Sequence, residues 1–118
     1  RNHKQRLLFL PGGVSMIFYT NLLIPSRFAG YAIGFIILIR PSYRNDVGLL
    51  AHEKEHVRQF LDPRWWFRSK LEREVAAYKV QAACYPDDRI PLFAGYIANK
   101  YELDISVIEA EKLLRETT

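Results

Sequence analysis

Between residues 7 and 39 the apolar positions come in short dense runs, interrupted by Pro11-Gly12-Gly13, Pro25 and Gly30. Runs of this length, rich in β-branched and aromatic residues and bounded by turn formers, predict strands at 7–10, 14–20 and 31–40. The last contains Phe35-Ile36-Ile37-Leu38-Ile39 without a polar break and stops at Pro41, which favours a buried strand over a helix. Beyond Pro41 the period changes. Asn45 or Asp46 supplies an N-cap, and apolar residues recur at helical spacing from Val47 to Leu61. Asp62-Pro63 ends that helix, because proline has no amide hydrogen and forces the preceding residue out of the helical region. A second helix at 69–84 carries Leu71, Val75, Tyr78 and Ala82 on one stripe, and 91–101 and 107–116 predict two more. Ser106 and Glu109 form the capping box that opens the last one. A small sheet of about three strands followed by about four helices defines an α+β fold class.

Composition narrows this further. A chain of 118 residues has room for one core, so 1–118 reads as a single domain. With 49% hydrophobic and 25% charged residues it has the balance of a packed protein and not of a disordered one. The longest apolar run, nine residues at 31–39, is far short of the roughly 20 needed to cross a bilayer, so no transmembrane segment is expected. No signal-peptide pattern opens the chain. Cys84 is the one cysteine, so no internal disulfide can form, which fits a reducing compartment and slightly favours the cytoplasm. Cys84 itself reads as a small core residue at a helix end and not as a ligand. The net charge of +4 is scattered, leaving no strong nucleic-acid signal.

Two of the three histidines fall in His52-Glu53-Lys54-Glu55-His56. Positions i and i+4 of a helix lie about 40° apart around the axis and roughly 6 Å along it, so both imidazoles reach one metal ion. Zinc (Zn2+) suits two imidazoles and a third protein ligand, with a fourth position left for water. Glu53 is then placed to take a proton from that water, a task that lysine or glutamine could not perform. A solvated, charge-rich helix is the plainer alternative, but the apolar Leu49-Leu50-Ala51 before the motif argues for burial.

The third ligand has three candidates, Glu74, Glu72 and Asp62. His3 lies far upstream, near the terminus. Asp62 would serve in a motif with a glycine at the turn, but position 59 is glutamine. Glu72 and Glu74 are separated by about 200° on the second helix, so one at most can face the metal. Glu74 lies nearer the apolar stripe, on a shoulder with Ala77 and Gln81, whereas Glu72 shares its side with Lys79.

HEKEH followed by Glu74 in the frame Glu74-Val75-Ala76-Ala77-Tyr78 resembles the gluzincin metallopeptidases, particularly their minimal members and short H-E-x-x-H proteins of bacteria and phages. The resemblance covers about 31–82 and implies a minimal zincin-like domain. It also implies His52, His56 and Glu74 as zinc ligands and Glu53 as general base. Phe60 stands where DNA-associated proteases with H-E-x-x-H-x-x-x-H carry a third histidine. No second subdomain is visible to form the far wall of a cleft.

Other residues have competing roles. Tyr78 is a candidate oxyanion donor, weighed against a core tyrosine with its hydroxyl satisfied. The strand at 33–40 could pair with an extended peptide if it lies at an edge. Arg64-Trp65-Trp66-Phe67-Arg68 could stack nucleic-acid bases, or pack its aromatics at a helix junction with the arginines in water. Asp87-Asp88 reads as turn chemistry. The expected function is zinc-dependent hydrolysis of a peptide or protein substrate; the alternative is a zinc-stabilised, non-catalytic module that binds peptide or protein.

Overall fold

A computed structural model describes residues 7–10 and 13–117, with side chains from residue 15 onward. His3 is outside the described residues. Four strands, β1 (Leu7–Leu10), β2 (Gly13–Tyr19), β3 (Gly30–Ile33) and β4 (Ile36–Ile39), precede four helices. These are α1 (Val47–Leu61), α2 (Lys70–Ala82), α3 (Ile90–Lys100) and α4 (Val107–Arg115), so the fold is α+β as expected.

One sequence expectation is corrected. The apolar run at 31–40 is not one strand but a hairpin, folded at Gly34-Phe35. Gly34 has φ 59°, a conformation that L side chains resist and that a two-residue hairpin turn with glycine first requires. Folding back puts β4 in the middle of the sheet order β1-β2-β4-β3. There it runs parallel to β2 and antiparallel to β3, which explains the unbroken hydrophobicity of Ile37, Leu38 and Ile39, all buried. The edge position falls to β3, so the peptide-pairing role considered for 33–40 can belong only to 30–33.

The segment between β2 and β3 steps over the end of β4 and is tied down by Arg40. The Arg40 guanidinium donates to the carbonyls of Phe28 at 2.9 Å, Pro25 at 3.1 Å and Ile24 at 3.3 Å. One charged side chain thus satisfies three loop carbonyls that the sheet does not use.

α1 starts where Asp46 accepts from the Leu49 amide at 3.0 Å and ends at Asp62, whose backbone bonds to Gln59. Its apolar side packs on the sheet through Leu49 and Val57 against Ile17, Ile37 and Ile39. Ser69 and Glu72 form a capping box at the start of α2, and Ser106 and Glu109 form the one expected at α4. A second core joins Tyr78 of α2 to Phe93, Ala94 and Ile97 of α3, Tyr101, and Ala110 and Leu114 of α4. Leu71, Val75 and Ala82 of the expected stripe pack around it. The seam between the cores is the contact of α1 with α2.

Two helical glycines make opposite predictions. A β-carbon at Gly48 would sit 2.4 Å from the Tyr85 ring, which is held by a hydrogen bond from its hydroxyl to Asp46 at 2.5 Å. Gly48→Ala should therefore cost about 1–3 kcal/mol of overpacking in chemical denaturation. At Gly95 an added β-carbon meets nothing within 4 Å, so Gly95→Ala should gain about 0.5–1 kcal/mol from helix propensity.

Candidate metal centre

His52 and His56 leave α1 on the face turned toward α2, and Glu74 faces them from α2. His52 Nε2 lies 3.4 Å from Glu74 Oε1, and His56 Nε2 lies 3.1 Å from Glu74 Oε2. One potential ligand atom from each of the three falls within 4.8 Å of the others. The other two carboxylates are engaged elsewhere. Glu72 is exposed and closes the α2 capping box, while Asp62 is bound by the Arg64 guanidinium at 2.9 Å.

Two observations test whether this trio fits a metal ion. Zinc ligands at about 2.0–2.1 Å in tetrahedral geometry stand about 3.3 Å apart, and each histidine Nε2 lies near that distance from one oxygen of Glu74, 3.4 Å from Oε1 for His52 and 3.1 Å from Oε2 for His56. Second, Glu74 Oε1 and His52 Nδ1 are buried without a hydrogen-bond partner; the 3.4 Å approach of His52 to Oε1 is not aligned as one. Uncompensated buried polar atoms are costly, and a cation shared by Nε2 and Oε1 would relieve the carboxylate. The donor set of two imidazoles and a carboxylate suits zinc. Burial pushes the Glu74 carboxyl up, but the facing His52 and His56 imidazoles outweigh it and hold the group at about 2. Burial likewise works against a charged His56, yet Glu74 and Glu53 raise that imidazole above its ordinary value.

A residue that sequence reasoning used only as a missing glycine orients one of the candidate ligands. Gln59, 3% exposed, places its Oε1 3.2 Å from His56 Nδ1. Its amide nitrogen donates to Glu55 at 3.0 Å and to the Arg73 carbonyl at 3.2 Å. With the amide nitrogen so engaged, the Gln59 oxygen accepts from Nδ1–H and leaves Nε2 as the ring nitrogen that faces Glu74. The signal was its position, one turn after His56 on the same face.

Glu53 is 4% exposed. Burial raises its pKa, the His52 and His56 imidazoles oppose the rise, and Glu74 adds to it. It reaches the site across Gly30, where an added β-carbon would lie 3.2 Å from Glu53 Oε2, 3.1 Å from Ile39 Cδ1 and 3.3 Å from the Leu38 carbonyl. Tyr78 packs edge-on against His52, with ring centroids 4.3 Å apart. Its hydroxyl is 2.8 Å from that of Tyr101, a residue the sequence did not single out.

A cavity of about 570 Å³ opens above the trio, with β3 along one side and Phe60, Trp65 and Trp66 along another. It includes Tyr101, while Tyr78 borders a neighbouring cavity. Within the aromatic segment, Trp65 lies beneath the Arg58 and Arg68 guanidinia, at 5.2 and 4.9 Å. Trp66 donates to the Phe60 carbonyl at 2.9 Å, but Phe67 is 95% exposed, so these aromatics do not all pack at the helix junction. Cys84 is exposed, which corrects its reading as a core residue: it lies past the last turn of α2, beyond the apolar stripe. Asp88 accepts from the Ile90 amide at 3.1 Å and Asp87 pairs with Arg89 at 3.0 Å, as turn chemistry predicts. No helix among the described residues is long and apolar enough to cross a membrane.

Comparison with family models, characterised proteins and solved structures finds no match.

Replacing a ligand and replacing its orienting partner should differ in degree. His52→Ala and Glu74→Ala should abolish stoichiometric zinc binding in chelator competition. Gln59→Leu should bind zinc about 10–100-fold more weakly, and unchanged affinity would remove Gln59 from the site.

Proposed function

We propose that this protein is a zinc-dependent peptidase whose ligands are His52, His56 and Glu74 and whose general base is Glu53. The observation that carries the proposal is the convergence of two imidazoles and a carboxylate from two helices, with a second buried carboxyl, that of Glu53, beside them and an open cavity in front. Zinc held there supplies Lewis acidity, which lowers the pKa of water at the site and polarises a carbonyl.

The chain's own groups supply the remaining requirements. In the β3–β4 register, with the Arg40 amide donating to the Ala29 carbonyl, residues 29, 31 and 33 turn their backbone groups toward β4. Gly30 and Ala32 therefore direct theirs to the open edge, and both line the cavity. An extended peptide paired along this edge is held by main-chain hydrogen bonds independent of its side chains. Glu53, packed against Gly30, takes a proton from the attacking water and delivers it to the departing amide nitrogen. Of the two joined tyrosines, Tyr101 borders the cavity. The oxyanion-donor role considered for Tyr78 thus passes to Tyr101, with Tyr78 holding its hydroxyl in place.

Among the described residues the candidate ligand group has three members. That favours the hydrolytic reading over a non-catalytic zinc module, because structural zinc sites usually saturate four protein ligands.

Glu53→Gln should retain zinc at wild-type stoichiometry and lose about 10²–10⁴-fold in the rate of cleaving a peptide library. Wild-type cleavage by that variant would end the catalytic assignment. Zinc loss in Glu74→Ala together with intact cleavage would end the metal assignment.

A further inference from the structure

A second cavity, of about 350 Å³, lies on the other side of His52 and Glu53, between the β2–β3 segment and α3. It shares Arg27, Phe28, Gly30, His52 and Glu53 with the first, so the two cavities flank His52 and Glu53 from either side. The second cavity carries four cations, Arg27, Arg40, Arg89 and Lys100. Two of these are already used. Arg40 binds loop carbonyls, and Arg89 pairs with Asp87 while stacking on Tyr85.

Arg27 and Lys100 are different. Among the described residues neither has a carboxylate within 4.0 Å, the range in which the protein's other ion pairs fall. Each rests on an aromatic ring instead, the Arg27 guanidinium 4.6 Å from the Phe28 centroid and the Lys100 ammonium 3.9 Å from that of Tyr96. Arg27 Nε donates to the Lys100 carbonyl at 3.0 Å. That bond joins the β2–β3 segment to the end of α3 and leaves the two terminal guanidinium nitrogens free for a planar anion. The cavity's acidic residue besides Glu53 is Asp46, whose Oδ1 accepts from the Leu49 amide and the Tyr85 hydroxyl. Two cations lining one cavity without counter-charge draw anions toward it.

We infer that the Arg27–Lys100 cavity binds a substrate carboxylate, so that the enzyme selects peptides presenting an acid next to the scissile bond. The carboxylate is either an Asp or Glu side chain or the chain's own C-terminus, and these would define an acid-selective endopeptidase and a carboxypeptidase. Cations of the first cavity fit the same preference. Lys70 sits 5.7 Å over the Tyr101 ring, and Arg73 donates to the Arg68 carbonyl, again without a carboxylate partner among the described residues. The inference rests on the proposed peptidase only in taking the ligand to be a peptide.

The test is direct binding, which requires no turnover. Three fluorescein-labelled hexapeptides of Ala, Leu and Phe are titrated against the zinc-loaded Glu53→Gln protein by anisotropy. One carries an internal Glu and an amidated end, one is neutral with a free C-terminus, and one is neutral and amidated. At least one carboxylate-bearing peptide should bind tenfold or more tightly than the neutral amide. The preference should vanish in Arg27→Gln/Lys100→Met, with the neutral peptide's affinity and zinc content unchanged. Whichever peptide shows the preference identifies the source of the carboxylate. Equal affinities, no binding of any peptide, or a preference that survives the double substitution would overturn the inference. Failure of the wild type to cleave any peptide would sink the peptidase proposal while leaving this result standing.

Discussion

The constraint on which this structure turns is the burial of His52 and Glu74 in the seam between α1 and α2, with Glu53 buried against Gly30 of β3. Removing carboxylates and imidazoles from water costs several kcal/mol each unless they meet compensating charge. The apolar surfaces on either side, the sheet with α1 and the bundle of α2 to α4, hold the seam shut regardless. Packing energy elsewhere therefore maintains an arrangement whose compensation comes from the pairing of Glu74 with His52 and His56. Glu74 Oε1 and His52 Nδ1, buried without a hydrogen-bond partner, mark where that local cost concentrates.

From this seam the supporting contacts follow in order. His56 needs its Nδ1 proton engaged if Nε2 is to face inward, and Gln59 provides the acceptor because its own amide nitrogen is bound to Glu55 and the Arg73 carbonyl. Gln59 thereby links α1 to the backbone of α2 one residue before Glu74, so the same side chain that sets the His56 tautomer also spaces the two helices. Tyr85 performs a comparable task at the other end of α1. Its hydroxyl donates to the N-cap Asp46 and accepts from Gln81, across the space that Gly48 leaves empty. The helix carrying the histidines is thus fixed to α2 and the turn following it at both ends by polar contacts, and to the sheet by apolar ones.

Much of this was legible in the sequence because it is written in local chemistry. Helix caps at Asp46 and Ser106, the stop at Pro63, and the four-residue histidine spacing each depend on residues within a turn of one another. The preference for Glu74 over Glu72 also came from a local cue, the angle to an apolar stripe. The strand at 31–40 was misread because hydrophobicity alone does not separate one long strand from a hairpin buried on both arms. Gly34 carried the signal, since a φ of 59° is available to glycine at little cost. Tyr101 and the Arg27–Lys100 pair left no such trace. Their partners lie 23 and 73 positions away in sequence, and contacts of that separation have no periodic signature.

The hairpin has a further consequence for the centre. Because the chain turns at Gly34, β3 becomes the open edge and Gly30 its first residue, directly against Glu53. A single long strand at 31–40 would instead have left no second strand beside β4, and Gly30 would not lie opposite Ile39. The absence of a side chain at position 30 thus serves two ends. It gives the Glu53 carboxylate room beside the sheet, and it leaves the edge backbone bare where a bound strand would run. Glu53 and the open edge of the sheet are thus positioned by one residue, so any movement of β3 is felt at the Glu53 carboxyl.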